Sequence, residues 1–207
     1  MTDLIHSLSH TLADSPSAVS TLLTSTVIVA VAEIGDKTQL LSLLLTLRFR
    51  NKPAIVMGIL LATLLNHALS AWLGVWLEQS LQQWADDHHI EWILAAGFAL
   101  MALWVLIPDK EDDETNTHEA WGAFLATCAL FFVAEIGDKT QVATVLLGAE
   151  YSSVFWVTAG TTLGMLAANI PVIYFGERLM RRMPLHLARY LTSALFLILA
   201  VSVIWAG

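Results

Sequence analysis

The sequence predicts an all-α integral membrane protein, with six transmembrane helices arranged as two inverted-topology three-helix repeats. Three observations predict it. Hydrophobic residues make up 57% of the 207-residue chain and charged ones 14%, against roughly 45–50% and 25% in soluble proteins. Apolar runs of about 17–25 residues, the length that crosses a bilayer, recur along the chain, and its mean hydropathy is +0.67. Finally, the nine-residue string VAEIGDKTQ occurs at residues 31–39 and again at 133–141, an offset of 102.

Taken in order, the N-terminal stretch MTDLIHSLSHTLADSPS lacks the positive n-region of a cleavable signal peptide and reads as a short interfacial segment. The six spans fall at residues 20–47, 53–77, 91–107, 121–147, 153–176 and 188–206. The first and fourth are long enough to tilt or break around Gly35 and Gly137. Pro53 suits a helix start and Pro108 a helix end. Residues 1–108 then form the first repeat with its interfacial segment, 109–119 an acidic cytoplasmic linker, and 120–207 the second repeat. Gly58 and Gly160 keep the offset of the motif, as do Gly74 and Gly176. An odd number of spans per repeat sends the second half in from the opposite side, the organisation of many secondary transporters.

The charges orient the chain. Arg48, Arg50 and Lys52 lie between spans one and two, Lys110 between three and four, and Arg178, Arg181, Arg182 and Arg189 between five and six or at its start. With Lys37 and Lys139 of the motifs these are all ten basic residues. The positive-inside rule places those three loops in the cytoplasm and both termini outside. Trp72, Trp76, Trp92, Trp156 and Trp205 near outer ends, and Trp104 and Trp121 near inner ends, form the expected aromatic belts. No basic patch with interleaved aromatics points to nucleic acid. Cys128 is the only cysteine, so a disulfide framework, a CxxC pair or a thiolate metal site within one chain is excluded.

The motifs carry the chemistry. An Asp or Lys at mid-membrane costs about 2.5–3.5 kcal/mol before partners form, so these groups need a reason to be there. On a continuous helix Glu33, Asp36, Lys37 and Gln39 share an arc of roughly 160°, with Thr38 outside it unless the helix is distorted. If the corresponding arcs face each other, Glu33, Asp36, Glu135 and Asp138 surround one point. Ion pairs of the i,i+4 kind, Glu33–Lys37 and Glu135–Lys139, would act only as helix glue, and one lysine per repeat cannot neutralise two acids. The remaining negative charge calls for a cation or protons. Carboxylates, with the amides of Gln39 and Gln141 and the hydroxyls of Thr38 and Thr140 as secondary candidates, make an oxygen-only donor set suited to Mg²⁺, Ca²⁺ or Mn²⁺. Metal and protons would compete for the same oxygens, the minimal chemistry of a cation/proton exchanger. Lys37 and Lys139 would serve as internal counter-cations, and Gly35 and Gly137 as backbone positions of the motif. His67 and Asn169 hold equivalent repeat positions and read as interhelical hydrogen bonders around the site. Pro171 is expected to free the carbonyl of Ala167.

Two E-x-G-D-[KR]-[ST] motifs, one opening each half, with an acidic central loop, resemble the family of the Golgi manganese/calcium transporters, which includes bacterial manganese exporters. The resemblance covers essentially the whole chain. It implies a membrane transporter, not an enzyme, without a cofactor, that moves Mn²⁺ and also Ca²⁺ against H⁺. It carries the cation-site role onto Glu33, Gly35, Asp36, Lys37 and Thr38, and onto Glu135, Gly137, Asp138, Lys139 and Thr140. It also implies a compact version in a bacterial plasma membrane, with the lipid bilayer, a divalent ion and protons as partners; a homo-oligomer is open. The alternative is a small amine or amino-acid exporter using the same acids. An intramembrane redox enzyme or protease lacks its residues here, and a scaffold would use the motifs as helix glue alone.

Overall fold

The computed structural model describes residues 16–107, 122–176 and 185–206. The interfacial segment up to residue 15, Pro108, the acidic linker, Trp121, Arg178, Arg181 and Arg182 lie outside the described residues. Within them the chain is helical: α1 (Pro16–Ala32), α2 (Lys37–Phe49), α3 (Lys52–Leu81), α4 (Asp87–Trp104), α5 (Ala123–Glu135), α6 (Lys139–Tyr151), α7 (Val154–Phe175) and α8 (Leu185–Ala206).

The apolar runs expected as spans one and four are each two helices. Gly35 has φ +78° and Gly137 φ +74°, a left-handed conformation that ends a helix and that glycine adopts without a Cβ penalty. The next residue, Asp36 or Asp138, is extended and N-caps a new helix. The break bends α1 against α2 by 73°. Four helices, α3, α4, α7 and α8, are therefore long and apolar enough to cross a bilayer unaided, and a fifth span arises if α1 and α2 count as one broken crossing. The continuous arc expected for Glu33, Asp36, Lys37 and Gln39 does not exist, because 100° per residue does not hold through the left-handed Gly35 and the 73° bend.

The two broken pairs are built alike. Arg50 after α2 and Ser152 after α6 both have positive φ, and each turns the chain at once into the next long helix. Asn51 caps α3 by accepting from the Ala54 N–H, and Ser153 caps α7 by accepting from the Trp156 N–H. α3 has 30 residues, about 45 Å of helix. That exceeds the ~30 Å hydrocarbon core, so its C-terminal turns stand beyond the apolar run.

Packing crosses between the halves. α1 lies on α7, α3 lies on α5, α6 and α7, and α4 lies on α8, where Phe98 and Phe196 stack with ring centroids 6.3 Å apart. Lipid offers no hydrophobic drive for this association, so small residues let the backbones close in. A Cβ on Gly58 would stand 2.8 Å from the Phe124 carbonyl oxygen and 2.7 Å from Thr127 Cβ. A Cβ on Gly160 would stand 2.6 Å from the Leu22 oxygen and 2.8 Å from Ser25 Cβ. These contacts correspond residue for residue at the repeat offset. Outward, Leu23, Leu69, Trp72, Leu100, Phe155, Phe175 and Ile198 are exposed, an apolar coat fit for lipid.

Adding a side chain at the close contacts is expected to cost stability. Gly160→Leu should lower the unfolding free energy by about 1–3 kcal/mol or more, read by thermal or SDS titration in detergent. Gly122→Ser, at a position with nothing within 4 Å of its Cβ, should leave the transition in place.

Candidate metal centre

Each break puts an acid on either side of a turn. Glu33 opens the turn after α1 and Glu135 ends α5, while Asp36 and Asp138 stand at the N-termini of α2 and α6. There the positive end of the helix dipole favours a negative charge. Neither aspartate makes the usual side-chain cap bond to its own helix. Asp138 instead reaches across: its Oδ1 lies 3.0 Å from Nζ of Lys37. The lysine of the first motif is thus paired with an acid of the second, and not with Glu33 one turn away in sequence.

Glu33 is fully buried and held from both motifs. The Thr38 hydroxyl donates to its Oε2, and the Thr140 hydroxyl donates to its Oε1. Thr38, which a continuous helix would turn away, comes to Glu33 because of the break. Carboxylate oxygens of Glu33, Asp36 and Asp138 lie within 4.8 Å of one another, a spacing that one ion can bridge. The fourth acid stands apart from that set: Glu135 is fully buried, and neither of its oxygens accepts a hydrogen bond among the described residues. A cavity of about 20 Å³ runs along both motifs, lined by Gly35, Asp36, Asp138, Lys139 and Thr140. Its volume suits one water-sized particle.

The two glutamines have a structural task. Gln39 Oε1 accepts the Gly35 N–H at 2.8 Å and Gln141 Oε1 accepts the Gly137 N–H at 2.7 Å. Both oxygens expected as secondary ligands are thereby engaged in holding the breaks. The other ends tie to the long helices: Gln39 Nε2 donates to the Ala168 carbonyl at 2.9 Å, and Gln141 Nε2 to Asn66 Oδ1 at 2.8 Å. The carbonyl in use on α7 is that of Ala168, the neighbour of the one that Pro171 was expected to free. Asn169 Oδ1 accepts from Ser42 at 2.6 Å, an interhelical bond of the expected kind. Its repeat counterpart His67 is buried, with neither ring nitrogen bonded among the described residues. Lys139 Nζ donates to the Ile107 carbonyl at 2.7 Å.

The family profile described as "Divalent cation/proton antiporter GDT1" matches residues 21–113 and 123–207. The chain belongs to the GDT1 family. A protein of Vibrio cholerae named "Putative manganese exporter" is 50% identical over 185 residues, covering 89% of this chain and 90% of its own length. A GDT1-like protein of Synechocystis is 26% identical over 198 residues, with 86% and 93% covered. A third, GDT1-like protein 5 of rice, is 23% identical over 223 residues, with 90% and 95% covered. No solved structure matches.

Two residues beside the motifs of this GDT1-family chain escape sequence reasoning. Arg189 of α8 lines the cavity, although in the sequence it counts only as one of the basic residues that orient the chain, at the start of span six. Comparison of the repeats points to His67 and not to its neighbour Asn66, because only His67 has a polar counterpart at the repeat offset. The signal was present, since a carboxamide in an apolar helix normally has a partner.

The left-handed turn is expected to be costly to alter. At Gly137 a Cβ meets nothing within 4 Å, so Gly137→Ala should destabilise by about 1–2 kcal/mol through conformation alone. Gly137→Asn should cost less. Equal stability of all three proteins in SDS titration would contradict the positive φ.

Proposed function

We propose that this chain is a secondary transporter that exports Mn²⁺, and also accepts Ca²⁺, from the cytoplasm in exchange for protons. The observation that carries the reading is the convergence of Glu33, Asp36 and Asp138, drawn from both motifs, within 4.8 Å. An all-oxygen set of this kind suits a hard divalent ion, and membership of a divalent cation/proton antiporter family supports the same chemistry. The name of the Vibrio cholerae relative favours manganese among such ions.

The cation site comprises Glu33, Asp36 and Asp138, with Glu135 as the fourth acid. Thr38 and Thr140 orient Glu33. Lys37 is the counter-cation of the empty site: it neutralises Asp138 until a divalent ion takes over that oxygen. Protons arriving at the carboxylates would release the ion, so the same oxygens serve both substrates. The like construction of the two broken pairs supports two three-span repeats of opposite orientation, each crossing one by a helix, a break and a second helix. Broken helices with backbone turned toward a midplane site are a recurring transporter device. The positive-inside rule puts both termini outside and the basic loops in the cytoplasm of a bacterial plasma membrane. A cavity of about 20 Å³ favours an ion over an amine or amino acid.

In proteoliposomes with an imposed pH gradient, the wild type is expected to carry Mn²⁺ against H⁺. Glu33→Gln and Asp138→Asn should each lower the flux by about 100-fold. A folded wild type that carries no divalent cation would overturn the reading.

A further inference from the structure

The two breaks are clipped by the same glutamine but anchored differently. Gln39 is tied to a main-chain oxygen, that of Ala168 on α7, whereas Gln141 is tied to a side chain, Asn66 on α3. Asn66 and Ala168 stand at equivalent places, 102 residues apart. On one side of the pseudo-symmetric site a carbonyl fixed in a helix does the work. On the other, an amide that can be removed or rotated does it.

The direction of the second chain of bonds follows from its chemistry. A backbone N–H can only donate, so the Gly137 N–H requires Gln141 to present Oε1 to it. Gln141 is left with Nε2 for α3, and Asn66 must then present Oδ1. Asn66 is 2% exposed, and water is no ready substitute for the bond. Gly137 immediately precedes Asp138, the residue that meets both Lys37 and the acid cluster. The carboxamide on α3 therefore bears on where Asp138 stands.

We infer that Asn66, outside both motifs, is a positioning residue of the cation site: through Gln141 it holds the break between α5 and α6 and so sets the place of Asp138. This rests on the exporter reading for its functional consequence. A plain interhelical bond in a membrane protein contributes little to stability, whereas groups that orient metal ligands typically change affinity 10–100-fold. The role is thus separable from helix glue.

The test compares wild type, Asn66→Ala, Gln141→Leu and the double variant, all full-length in proteoliposomes. It measures the KM and Vmax of Mn²⁺ flux together with amide hydrogen exchange. Alanine is the residue already present at position 168, so Asn66→Ala is compatible with the helix. Asn66→Ala should raise KM about tenfold with Vmax unchanged, and the double variant should be no worse than Gln141→Leu alone. Exchange should quicken at Gly137–Asp138 and not at Gly35–Asp36. An unchanged KM, independent effects that multiply, or equal quickening at both breaks would overturn the inference. If the wild type carries no Mn²⁺, the exporter reading fails. Exchange then decides the clip alone: quickening confined to the second break upholds it, and no quickening overturns it.

Discussion

The structure depends on one constraint: a helix interrupted inside an apolar environment must satisfy the backbone groups it frees. Each E-I-G-D segment stops a helix at a left-handed glycine and leaves N–H groups without an intrahelical acceptor. Gln39 and Gln141 answer it by accepting the Gly35 and Gly137 N–H groups. Because each glutamine also reaches a long helix of the opposite half, satisfying the break also docks it. The cross-packing of α1 on α7 and α3 on α5, permitted by Gly160 and Gly58, puts the two docked breaks side by side. The acids converge as a consequence.

Charge then distinguishes two halves that are nearly alike in backbone. Glu33 accepts a hydroxyl from each motif, while among the described residues neither oxygen of Glu135 accepts one. Lys37 pairs with Asp138, and Lys139 has the Ile107 carbonyl among its partners. Identical nine-residue strings therefore occupy different hydrogen-bonding states.

Much of this was legible in the sequence. Apolar length located the helices that became α3, α4, α7 and α8, and the doubled motif located the acids, the glycines and their breaks. Apolarity could not reveal that α1–α2 and α5–α6 are pairs, because it is blind to backbone direction; the Gly-Asp step, a helix stop followed by an N-cap, was the readable sign. Helical periodicity puts Thr38 off the arc of the acids for the same reason, since only a distorted helix brings it back. Comparing repeats drew attention to His67 and Asn169 but hid Asn66, whose counterpart acts through its main chain. Arg189 enters the site only through tertiary packing, which no local pattern encodes.

That two motifs make one cation site is the central claim, and anomalous diffraction from crystals grown with Mn²⁺ tests it most directly. The account predicts a single manganese peak coordinated by carboxylates of both motifs, Glu33 and Asp36 from the first and Asp138 from the second. A peak bound by one motif alone, or two separate peaks with one at each motif, would contradict it.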